Sequence, residues 1–115
     1  MRPLLSLVAL GLLLAPAPVR ADAESDLFDL LMAWESVSIC GFAMPDDVAD
    51  RAYSAIAAYE ADLGKTDGDI EQLREQAAWQ ILRERTEMCA ADSSWRARYD
   101  ELVAALAADR PASGG

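Results

Sequence analysis

Cys40 and Cys89 are the residues whose type and spacing most plainly point to chemistry, and that chemistry is a covalent bond between them. They stand 49 residues apart, not as a C-x-x-C pair. Their neighbours (Ile39 and Gly41, Met88 and Ala90) include no cation to lower a thiol pKa. A reactive redox pair is therefore disfavoured, and in an exported chain two such thiols read as one structural disulfide. Closing a loop of this size contributes about 4 kcal/mol by chain-entropy arguments. Intermolecular bridging is the smaller alternative.

Other constellations have structural explanations. The sequence contains no His, which removes Ser-His and Cys-His nucleophiles, His-based zinc sites and C-x-x-C-H haem attachment. The run Lys65 to Arg74 has the glycine of a calcium loop at Gly68, but its ligand positions fall on Leu63, Lys65 and Arg74, where oxygen donors are required. Met32, Met44 and Met88 follow no Met-x-x-Met spacing and read as core filling, with Met44 the least explained. Asp46, Asp47, Asp67 and Asp69 sit at helix starts and need no catalytic role. A Gly-rich phosphate loop and a G-x-S-x-G elbow are both missing. No enzyme activity, metal or cofactor is expected. Trp34 and Trp95 fall within apolar stripes and read as core. Trp79 lies off the main stripe of its helix and is the residue singled out for binding a partner, against the alternative that it packs on helix one or four.

The 115 residues are enough for one domain, and 10 basic against 20 acidic groups give a net charge of −10. Residues 1–21 have the layout of a cleaved secretory signal peptide: a positive start at Arg2, an apolar run from Leu4 to Leu14, and Val19-Arg20-Ala21 before the cut. The apolar run is too short to span a bilayer, which takes about 20 residues. Loss of Arg2 and Arg20 with this leader leaves 8 basic and 20 acidic groups, a net of −12. That charge argues against nucleic acid and against insertion into a membrane after cleavage. Nine Arg to one Lys, abundant Ala and no Asn look like a GC-rich bacterial genome. The expected location is the periplasm or the exterior.

The elements that must position the cysteines are helical. Leu27, Leu30, Leu31, Trp34 and Val37 recur at helical steps, predicting a first helix from about Ser25 to Ile39, with Gly41 as its stop. Pro45-Asp46-Asp47 opens a second helix whose stripe is Val48, Ala52, Ile56, Tyr59 and Leu63, closed by Gly64. Its many alanines would let a neighbouring helix approach closely. Thr66 and Asp69 are spaced as a capping box for a third helix with Ile70, Leu73, Ala77 and Ile81 on one face and Ala78, Leu82 and Cys89 on an adjoining one. Ser93 or Ser94 opens a fourth, carrying Trp95, Tyr99, Leu102 and Leu106. The expected fold is all-α: a small bundle of about four helices stapled by one disulfide, over a single domain 22–109 with a flexible tail 110–115.

This layout resembles the Hde-type periplasmic acid-stress chaperones, which are short, exported, all-helical and held by one disulfide of similar separation. The matching features are Trp34 upstream of Cys40, Cys89 far downstream, and a terminal amphipathic helix with Trp95 and Tyr99. The likeness covers most of the mature chain as architecture, while Gly41 to Pro45 and the lysine-free last helix differ locally. It implies a chaperone that loosens and exposes its stripes in acid. The residues themselves point first to a non-catalytic exported domain that binds another protein, as yet unknown, or an envelope component. A homodimer is a further arrangement, and a small-ligand carrier the third reading.

Overall fold

A computed structural model describes the backbone of residues 16–108 and the side-chain environment of residues 22–108. Within these residues the chain forms five helices: α1 (Pro16–Ile39), α2 (Asp46–Leu63), α3 (Asp67–Arg83), the single turn α4 (Arg85–Met88) and α5 (Ser94–Ala108). The fold is a small all-α bundle with one disulfide. Residues 1–15 of the expected leader and the expected tail 110–115 lie outside the described residues. The expected cut after Ala21 falls within the backbone of α1, which is helical well before Ser25.

Most helix boundaries follow the sequence signals. Thr66 Oγ1 accepts from the Asp69 amide at 3.1 Å, and Asp69 Oδ2 accepts from the Thr66 amide at 2.9 Å, so the capping box closes even with the shorter Asp. Those bonds hold the Asp69 carboxyl below its ordinary pKa, chiefly through the Thr66 amide. Gly64 adopts φ 67°, a left-handed conformation that favours glycine, and ends α2. Ser93 caps α5, accepting from the Arg96 amide at 2.9 Å.

A second boundary differs, after the early start of α1. The third helix does not continue to Cys89: it stops at Arg83, where Glu84 leaves helical geometry with φ −124° and ψ 36°, and the chain restarts as α4. The restart places Arg85 at the end of α1, where its guanidinium donates to the Ile39 carbonyl at 3.2 Å. It also turns Cys89 back toward Cys40.

Helix α1 is the centre of the bundle, packing on α3, α2 and α5. Its buried residues therefore exceed one stripe: Leu27, Leu30, Leu31, Met32, Ala33 and Ser36 are all enclosed. Ala77 and Ile81 of α3, Val48 and Ala52 of α2, and Trp95 and Tyr99 of α5 complete the interior. Phe42, in the linker after α1, joins them by packing against Tyr99 with ring centres 4.9 Å apart and planes tilted by 60°, under the Arg96 guanidinium. The Met expectations hold, with Met32 buried and Met44 and Met88 packed against the core. Val37 does not: it is 37% exposed and lines the gap that Ala49 of α2 and Arg74 of α3 also line.

Candidate partner-binding cleft

Cys40 and Cys89 form the predicted bond, with Cα atoms 5.2 Å apart. It joins the residue after α1 to the residue after α4, and both cysteines pack against the core. A disulfide is compatible with an oxidising compartment. No cysteine is free among the described residues, and the nearby Arg85 donates to the Ile39 carbonyl.

Beside the bridge the bundle is tightly closed. Ser36, fully buried, donates to the Met32 carbonyl at 2.8 Å and accepts from Trp95 Nε1 at 2.9 Å. Its own carbonyl receives the Cys40 amide at 2.9 Å. Tyr99 reaches across to donate to the Ala43 carbonyl at 2.7 Å, and burial pushes its phenol pKa up. Arg51 of α2 donates to the last carbonyls of α5, Leu106 and Ala107, at 3.1 and 3.0 Å. Among the described residues every buried side-chain polar atom has a partner.

The opposite face of α1 is open. Helices α2 and α3 each pack on α1 but scarcely on one another, and the gap between them is floored by Trp34. One lobe, about 310 Å³, lies over Trp34, Val37, Met44 and Ala49; a second, about 220 Å³, lies over Trp34, Tyr53, Ile56, Ala57 and Ile70. The first is at the lower end of ordinary ligand-pocket size. The Trp34 and Tyr53 rings stand 6.3 Å apart at 44°. Tyr53 is 68% exposed, although it is large and aromatic. The small side chains of Ala49 and Ala57 face the gap, so these alanines widen a cleft where the sequence suggested a close helix neighbour.

Charge is arranged around this apolar floor. Arg74 lines both lobes but is held by Glu35 at 3.1 Å and by Glu71 at 3.8 Å. Glu60 lines the second lobe, and a hydrogen bond with Asp67 pushes its carboxyl pKa up. The steps 46, 50, 53, 57 and 60 place Asp46 and Asp50 on the outer edge of the α2 face that carries Tyr53, Ala57 and Glu60. Asp67 and Glu71 stand in the same relation to Ile70 and Arg74 on α3.

Trp79 is 63% exposed at the edge of a shallow hollow with Phe28, Gln72, Gln76 and Arg83. The alternative of packing into the bundle does not hold, since two residues of helix turn it about 200° away from buried Ala77. The hollow is polar and Gln-rich, and it is separate from the cleft. Trp34 is only half buried, a correction to its reading as core, and it is the residue that joins the two lobes. Tyr53, beside Trp34 in the cleft, is not among the sequence candidates. The usable signal was an aromatic residue one position off the Val48/Ala52/Ile56 stripe.

No cluster of three or more His, Cys, Asp or Glu side chains suited to a metal occurs among the described residues. No described helix is long and apolar enough to cross a membrane. Comparison with protein-family models, with curated proteins and with solved structures finds no match to this chain.

Proposed function

We propose that this protein is a non-catalytic exported domain of the bacterial periplasm or exterior that binds another protein through the cleft between α2 and α3. The observation that carries this reading is the pairing of exposed Tyr53 with half-buried Trp34 over an open apolar floor. Water-exposed apolar surface is costly, and aromatic anchors are the side chains that dominate protein interfaces. The lobes are open and shallow, which suits a segment of chain laid across them better than an enclosed small molecule.

The test is capture from an envelope extract on the immobilised, oxidised protein, with competition. A partner displaced by excess free protein, but not by an excess of the Tyr53→Ala variant, supports the reading. Capture that both competitors abolish equally, or the absence of any competable partner, overturns it.

A second reading, an acid-activated chaperone of the Hde type, is favoured by the way α1 is tied. Glu24, Asp29 and Glu35 on α1 bind Lys65, Arg98 and Arg74 at 3.3, 2.9 and 3.1 Å, and Asp26 accepts from Tyr59 at 3.4 Å. In each tie the carboxylate belongs to the central helix, so strong acid neutralises the same side of every clasp. Each exposed pair contributes only about 0–1 kcal/mol, but all are lost together. An aggregation assay with an acid-denatured client at pH 2–3 decides it: protection at equimolar protein supports this reading, and none at excess ends it.

A further inference from the structure

We infer that the cleft's partner is a cationic amphipathic helix, an inference that rests on the proposed protein-binding role and adds the chemistry of the bound segment. Its floor is apolar: Trp34, Val37 and Met44 in one lobe, Tyr53 and Ile56 in the next. A helix laid along such a floor presents side chains at i, i+3, i+4 and i+7, which suits two adjoining apolar lobes sharing one tryptophan.

The edges decide the sign of the partner. Glu60 lines the second lobe from α2, where helical spacing puts Asp46 and Asp50 on the same face, and the same spacing puts Asp67 and Glu71 beside Ile70 and Arg74 on α3. Arg74 is the one cation among the described residues lining the two lobes, and Glu35 and Glu71 already hold it. An anionic segment would meet five carboxylates with no uncommitted guanidinium to receive it. A segment with Lys or Arg flanking its apolar stripe would set cations against both edges. Glu60 and Asp67 lie close together across the gap, their hydrogen bond raising the Glu60 pKa, so a cation set between them would meet two carboxyl groups at once. The same complementarity disfavours a second copy of this acidic chain, whose edges would repel its own.

Two designed helical peptides test this on the purified oxidised protein: one with a Leu stripe flanked by Lys, the other identical except for Glu in place of every Lys. Binding is read by anisotropy of a fluorophore on the peptide, at low and at raised salt. The Lys peptide is expected to bind, with affinity falling as salt rises, and the Glu peptide to bind at least tenfold more weakly. The double variant Asp50→Asn/Glu60→Gln should weaken the Lys peptide about three- to tenfold. Asp92→Asn/Glu87→Gln, which removes the same charge away from the cleft, should leave it nearly unchanged. Equal loss in both double variants would mean attraction to net charge alone and overturns the inference. Equal or tighter binding of the Glu peptide overturns it as well. If neither peptide binds while a cleft-dependent envelope partner is still captured, the inference falls and the protein-binding role stands. If that capture is also insensitive to Tyr53→Ala, both fall.

Discussion

Trp34 and Ser36 are two residues apart on the same helix, and they face two different kinds of environment. Ser36 looks toward α5, where Trp95 donates to it, Tyr99 fills the space beside Phe42, and the disulfide closes the end. Trp34 looks into the gap between α2 and α3, where its aromatic neighbour Tyr53 is mostly in water. The central helix is apolar enough to support a neighbour on both sides. On one side Phe42, Trp95 and Tyr99 fill the space completely. On the other side α2 offers Ala49 and Ala57, too small to reach α3. A buried aromatic with a matched N–H partner serves the fold, whereas an aromatic pair left over a wide floor is available for binding.

The largest expected effect comes from opening the closed side at its covalent end. Replacing both Cys40 and Cys89 with Ala should cost about 4 kcal/mol, from the loop closed across 49 residues. Urea denaturation of the oxidised protein and the double variant measures this. The comparison predicts that the loss appears as lower stability of the whole bundle. A drop under about 1 kcal/mol, well short of the usual 2–4 for such bonds, would mean that the packing of Trp95 and Tyr99 closes this end without the bridge.

Ser36→Ala is the next test. It removes one hydroxyl from a fully buried position and leaves the Trp95 N–H without its acceptor. Stranding a buried donor costs about 1–3 kcal/mol, more than the net worth of the bond itself. Trp95→Phe in the same background removes the stranded donor and should recover part of the loss. A double-mutant cycle with no coupling between the two positions would detach the closed side from the hydrogen bond assigned to it.

A pH dependence sharpens the contrast at its other anchor. The Tyr99 phenol is pushed up by burial, and Tyr59 is pushed up by burial and by neighbouring Asp26. For a group whose folded pKa exceeds its unfolded value, the stabilisation is present below the unfolded value, about 10 for tyrosine. It is lost as pH rises through the folded value, because the unfolded chain releases the proton first. Stability should therefore fall on the alkaline side of pH 10, and Tyr99→Phe should flatten that fall. An unchanged alkaline slope in the variant would show that Tyr99 does not couple folding to its proton.

Much of the fold was legible in the sequence. Cys40 and Cys89, the Thr66/Asp69 capping box, the Gly64 stop and the Ala77/Ile81 stripe all express local rules, and each falls where those rules place it. The break at Glu84 was not legible, since Arg83-Glu84-Arg85 reads as continuous helix and the turn depends on docking against the end of α1. The cleft was hidden for a related reason. Periodicity shows which face of each helix is apolar, but the separation between α2 and α3 is a property of three helices together. Trp34 and Val37 therefore read as core on the pattern of α1 alone, and Tyr53 is a single aromatic off its stripe.

The smallest predicted effect on stability tests the open side most directly. Tyr53→Ala removes a side chain that is 68% exposed and touches Trp34 at one edge. Little apolar area is buried there, so the change in unfolding free energy should stay within about 0.5 kcal/mol, as for ordinary surface substitutions. The same variant is expected to lose partner binding by tenfold or more, because a truncated aromatic anchor typically costs about 2 kcal/mol or more at an interface. A residue that matters for packing moves both measurements together. Near-neutral folding with a large loss of binding assigns Tyr53 to recognition, whereas a stability loss above about 1 kcal/mol, the typical cost of removing a working contact, would make the Trp34–Tyr53 pair part of the fold and close the distinction between the two sides.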